Sequence, residues 1–268
     1  GHHGAAVIAA CYFCEENGLD ERAAAALRRQ VEAYIGHRRN VFQDLEPGSG
    51  DGDPSKIVSQ LQEHVGELRS GGHDAIYAAL ALRALRDLPS LATPSVVDGV
   101  CRLLRTFVDT VPVSPTTAYQ REKPLPPYAN DRDLARRTLD ALLRPWDHIE
   151  AVGTGVVVHW VTHGDALITL AELGHPDVAR RGHEAHLRYV NREVSATSGQ
   201  EPARSPIDWR RADYWESDAP RLPQKGTWFF GHSFKLPYSL FRLVRKAELT
   251  EVTPDCLARA SKLSMPFE

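Results

Sequence analysis

Four times in this chain a histidine stands beside a Gly or Thr at the head of an apolar stretch with helical spacing. A turn and a second helix follow each time. The four heads are Gly1-His2-His3-Gly4-Ala5-Ala6, Gly71-Gly72-His73-Asp74-Ala75-Ile76-Tyr77, Val161-Thr162-His163-Gly164-Asp165-Ala166-Leu167 and Phe230-Gly231-His232-Ser233-Phe234-Lys235-Leu236. The partner helices open at Leu19-Asp20-Glu21, Ala92-Thr93-Pro94, Gly174-His175-Pro176-Asp177 and Val252-Thr253-Pro254-Asp255. Pro just inside a first turn gives up no helical hydrogen bond and brings a preset φ, so three of these starts are strongly marked.

A helical hairpin cannot bury its apolar face alone and stacks on its neighbours. The pattern predicts an all-α fold, one domain over residues 1–268, made of hairpin units near 1–40, 72–112, 159–194 and 228–266 and closed as an α/α toroid. The stretches 45–71, 113–148 and 195–227 are insertions between units. Within them, Ser55–Leu68 and Asp131–Leu143 have helical period, Pro112–Tyr128 is an extended connection with five prolines, and Ser195–Lys225 is an ordered excursion over the site carrying Trp209 and Trp215. The β-branched run Val156–Val158 reads as the start of the central helix, and no segment has the alternation of a strand.

Composition narrows the function. A formal charge of −3 and a pI near 6.5 argue against a general nucleic-acid or membrane-surface binder. Charges interrupt every apolar run before it reaches membrane-spanning length, no basic stretch is followed by a signal-like apolar segment, and the four cysteines read as reduced, so the expected location is the cytoplasm. Cys11 and Cys14 form a C-x-x-C without a second pair to complete a zinc site, and they read as small packing residues. Gly1-His2-His3 reads either as native sequence or as the remnant of a tag, the sole methionine being Met265.

Closure of the ring would bring equivalent positions to one central cavity. His3, His73, His163 and His232 would then face one another near the heads of the inner helices, with His159 one turn before His163 on the same face. Clustered neutral imidazoles suit a divalent transition metal such as Fe, Zn or Cu, and helix N-termini help keep those rings uncharged. The competing reading is a buried polar network in which histidines satisfy helix ends without metal. Asp74 and Asp165 are candidates to ligate or orient a ring, or are first-turn carboxylates. Lys235 and Tyr238 are candidate substrate contacts, and Trp160, Trp228, Phe229 and Phe230 are candidate pocket walls or core. His175, His183 and His186 fall on an outer helix and are expected to be solvated.

The run Thr162-His163-Gly164, Ala166-Leu167, then Leu173-Gly174-His175-Pro176-Asp177 resembles a recurrent motif of the questin-oxidase-like proteins. There an Asn-His-Gly leads an apolar helix that ends Leu-Gly-x-Pro-Asp; Thr162 stands here in place of the Asn. The resemblance spans residues 162–177 and implies an oxygenase tailoring polycyclic aromatic metabolites, with His163 the one residue carried over. Taken together, the leading expectation is a small-molecule enzyme with a His-lined metal pocket, oxidation ahead of lyase or hydrolase chemistry. The alternative is a non-catalytic helical-repeat binding protein. A terpene-cyclase-like toroid is disfavoured, because no D-D-x-x-D or D-x-D-D cluster is present.

Overall fold

The computed structural model describes residues 1–43, 50–110, 124–191, 206–217, 228–249 and 254–264. Among them are twelve α-helices and no strand. In chain order these are α1 (His2–Glu16), α2 (Glu21–His37), α3 (Ser55–Gln62), α4 (His73–Asp87), α5 (Pro94–Arg105), α6 (Asp131–Leu142), α7 (Trp146–Val152), α8 (Thr154–Glu172), α9 (Pro176–Val190), α10 (Ala212–Glu216), α11 (Trp228–Lys246) and α12 (Pro254–Ser264).

Local chemistry sets most of these boundaries. The Asp20 carboxylate accepts from Ala23 N at 2.7 Å to open α2, and Asn130 accepts from Asp133 N at 2.9 Å to open α6. Thr93 caps α5 with Pro94 in its first turn, and Pro176 opens α9. α8 is buried without a break from Val157 to Leu170, which is why its sequence shows no amphipathic stripe. α5 and α9 bury one face each, the pattern of outer helices.

Four helices form the inner set: α1, α4, α8 and α11. α1 packs on α4 and on α11, and α8 packs on the same two helices. Each is also backed by the helix that follows it in its hairpin: α2, α5, α9 and α12. The inner helices run the same way, because partner numbers rise together. His2 meets His73 while Tyr12 meets Arg83, and His2 meets His232 while Phe13 meets Phe241. All four histidine-bearing heads therefore lie at one end.

Several expectations needed correction. α3 stops at Gln62, and the chain passes through a 3-10 turn at Val65–Glu67 to a left-handed Leu68 (φ 46°), although Leu61, Val65 and Leu68 are all buried. α5 ends at Arg105; Thr106 and Thr110 hydroxyls then donate to Leu103 O and Phe107 O, each at 2.7 Å, in place of further helix. Helix α7 behind Pro145 was not anticipated. Of the 195–227 excursion, residues 206–217 are described. Their α10 packs on α2, with Gln30 Nε2 donating to Trp215 O at 2.7 Å and the Trp215 ring stacked on Phe234. Most of the proline-rich connection, and the side chains of Trp228, Phe229 and Phe230, lie outside the described residues.

Candidate metal centre

The head of α4 is built by a turn that few sequences tolerate. Leu68, Ser70, Gly71 and Gly72 all have φ between 46° and 84°. Left-handed conformations cost non-glycine residues about 1–2 kcal/mol each, so this turn is held by its surroundings. Arg69 donates through Nη1 to Val108 O and to Thr110 O, the latter at 2.6 Å, and pins the turn to the end of the α5 segment. His73 is thereby the first residue of α4, buried, with Ser70 Oγ 3.4 Å from its Nδ1.

Three more rings meet His73. His2 on α1 lies 4.4 Å away between ring centroids and His159 on α8 4.5 Å, both edge-on. His232 on α11 lies 5.1 Å from His159 and 5.8 Å from His2. One nitrogen each of His2, His73 and His232 can be chosen so that all three lie within 4.8 Å of one another. At one side Gly231 brings α11 against α1, its Cα next to His2 O and the Ala6 methyl.

The rings are neutral at physiological pH. Burial pushes His2 down to about 2 and His73 to about 4, and in both the adjacent Lys235 charge adds to the effect. Burial also holds His159 and His232 well below the usual histidine value. Lys235 itself is buried, its Nζ 3.2 Å from His2 Nδ1, and burial lowers it to about 7. His73 Nε2 is buried with no hydrogen-bond partner, which leaves one ring nitrogen of the group free to ligate.

The other candidates fall elsewhere. His3 points away from the group, its Nδ1 bonded to the Tyr34 hydroxyl and its ring beside Phe42. His163 lies one turn below His159, and its Nδ1 meets His186 Nδ1 at 3.1 Å. Tyr238 accepts a hydrogen bond from Arg83 Nη1 at 2.7 Å and lies below the centre. There, Lys235, Tyr238, Ser239, Asp165 and Thr162 help line a cavity of about 10 Å³, room for about one water. Asp165 is bound by Arg242 at 2.7 Å and Ser239 at 2.9 Å, so it orients no histidine. Asp74 points outward to His64, 3.4 Å away, and burial raises its carboxyl to about 7 while lowering His64. Trp160 is core, edge-on to Tyr189.

Two expectations are overturned outright. His183 and His186 are 3% and 0% exposed rather than solvated, because they share the inner face of α9 with Ala179, Gly182 and Val190. That spacing was visible in the sequence. Cys11 is exposed rather than packed, while Cys14 packs half-buried against the core as expected, and Cys101 and Cys256 are buried. The expectation also missed His2, whose neighbour His3 was chosen instead, and His64. No family model, no curated protein and no solved structure matches this chain.

Proposed function

We propose that the four hairpins close as an α/α toroid and that His2, His73 and His232 hold a divalent transition metal, with His159 as a fourth nitrogen. The reading is that of a metal-dependent enzyme acting on a small organic molecule, oxidation ahead of lyase or hydrolase chemistry. One observation carries it: three imidazoles from three helices distant in sequence bring ring nitrogens within 4.8 Å of one another. Uncharged rings fit the donor set a metal needs, and the unpartnered Nε2 of His73 leaves a buried cost that a ligand would offset. An all-imidazole set suits Fe, Cu, Zn or Ni rather than Mg or Ca. When bound, such an ion supplies Lewis-acid or redox chemistry at an oxygen atom.

The chain's own residues have separable roles in this reading. His159 fills the gap between His73 and His232 and fixes their spacing. Lys235, next to His2, is the group placed to hydrogen-bond a ligand at the floor of the centre. Tyr238 is committed to Arg83 and moves from substrate contact to support. Asp165 and Arg242 close the interior on the far side of the small cavity. The resemblance of residues 162–177 to questin-oxidase-like proteins favours oxidation over hydrolysis.

Elemental analysis of tag-free protein tests the proposal. The expected result is close to one transition metal per chain, lost in His73→Ala and in His232→Ala and retained in His3→Ala. Wild-type protein holding no more metal than the His73→Ala variant overturns it.

A further inference from the structure

Behind the centre runs a chain of buried polar groups whose hydrogens are coupled from end to end. The Thr138 hydroxyl on α6 donates to Leu134 O at 2.9 Å, one turn earlier in its own helix. With that hydrogen on Leu134 O, the hydroxyl oxygen accepts at the 2.9 Å contact with His186 Nε2, and Nε2 carries the hydrogen. Burial keeps His186 neutral, and a neutral ring with Nε2–H has a lone pair on Nδ1. His186 Nδ1 lies 3.1 Å from His163 Nδ1, so His163 must be the donor there. His163 is neutral too, and its lone pair is left on Nε2.

Two glycines make the arrangement fit. A Cβ on Gly164, the residue after His163, would stand 2.8 Å from Thr138 Oγ1 and 3.3 Å from His186 Cε1. That gives the His163-Gly164 pair a physical meaning: the glycine leaves room for the arm that grips the histidine. On the other side, a Cβ on Gly72 would stand 2.4 Å from His163 Cδ2 and 3.1 Å from its Nε2. The edge of the ring carrying the lone pair therefore lies against the turn that delivers His73.

We infer that Thr138 and His186 are positioning residues that lock His163 in its Nδ1–H form, and that the ring so fixed holds the Gly72 turn, and through it His73, in place for the histidine centre. The second half rests on the metal reading above; the first does not. Outer residues that fix the placement of a metal's ligands are worth about 10–100-fold in metal affinity.

The test uses Thr138→Val, which keeps shape and removes the hydroxyl, and Thr138→Ser, which restores it. Long-range ¹H–¹⁵N spectra of the metal-free full chain are expected to show His163 as the Nδ1–H form in wild type and Thr138→Ser, and a mixture in Thr138→Val. Co²⁺ titration followed by its visible absorption is expected to give 10–100-fold weaker binding in Thr138→Val, with recovery in Thr138→Ser. An Nε2–H form in wild type, or a tautomer unchanged by Thr138→Val, overturns the lock. A scrambled tautomer with unaltered Co²⁺ affinity overturns its service to the centre. A locked His163 in a protein that binds no Co²⁺ overturns that service along with the metal reading, and leaves the lock standing.

Discussion

Gly72→Ala is the most informative stability variant, because two independent costs fall on one methyl group. Gly72 has φ 84°, in the left-handed region, where an alanine loses about 1–2 kcal/mol. The same methyl would stand 2.4 Å from His163 Cδ2 and 2.7 Å from its Cγ, a clash with a ring that His186 holds from behind. Overpacking of this kind costs about 1–3 kcal/mol. Together the expected loss is about 2–5 kcal/mol, a large part of the roughly 5–15 kcal/mol that stabilises a typical domain. For a chain of this size that is a fall in Tm of about 4–20 °C, at about 2–4 °C per kcal/mol. Gly36→Ala is the control: it lies within α2 with nothing within 4 Å of its added carbon. There the helix should gain about 0.5–1 kcal/mol. Differential scanning calorimetry of both variants checks the pair. A Gly72→Ala protein as stable as Gly36→Ala would refute the left-handed turn and the ring contact together.

Acid should destabilise the fold early. The unfolded chain takes up a proton on His73 below pH 6.5, whereas the folded chain resists until about 4, so stability falls as pH drops through that window. His73 alone is worth about 3 kcal/mol by pH 4, and the lowered His159, His163, His186 and His232 act in the same direction. A urea midpoint that does not move between pH 7 and 5 would contradict this. Asp165→Ala leaves the buried Arg242 with Glu172 and Thr169 alone and should cost about 1–3 kcal/mol in chemical denaturation, while adding Arg242→Met should restore part of it. A double variant no more stable than the single would count against a charge-based cost. Ellman's reagent should label exposed Cys11 first in native protein and reach Cys101 and Cys256 only in denaturant. Labelling of Cys101 at the rate of Cys11 would show that the α5 face is open.

The all-α character and the hairpin starts were legible because capping chemistry is local: Asp20, Thr93-Pro94 and Asn130 act within one turn of themselves. His73 and His232 were legible for a similar reason, each standing after a glycine near the head of a helix. Rotational phase is different. α1 is apolar nearly all round, so nothing in its sequence says whether His2 or His3 faces inward; that is settled by its packing on α4 and α11. His183 and His186 were legible in principle, since α9 does carry an apolar stripe and both lie on it. They were misjudged by treating an outer helix as solvated throughout.

Of the two candidates on α8, His159 meets the other rings and His163 does not, and the cause lies several turns away. α8 and α11 run in parallel and are joined along a polar seam centred on partners 73 or 74 positions apart, Asp165 with Ser239, Thr169 with Arg242 and Glu172 with Lys246, with the long Arg242 side chain also reaching Asp165 and Glu172 on either side. Carried up to the head of α11, the same offset sets His232 level with His159, and their rings are 5.1 Å apart. His163 would need a partner near residue 236, where α11 presents the buried Leu236. A buried ion pair contributes little net stability over an apolar contact of the same shape, but a misregistered one strands charge, and that penalty fixes which residues are level. Aligning the histidines by their Gly or Thr neighbours matches local motif to local motif. The seam matches charge to charge across two helices, and it is the stronger constraint, so it decides which histidine enters the centre and which is left to be gripped by His186.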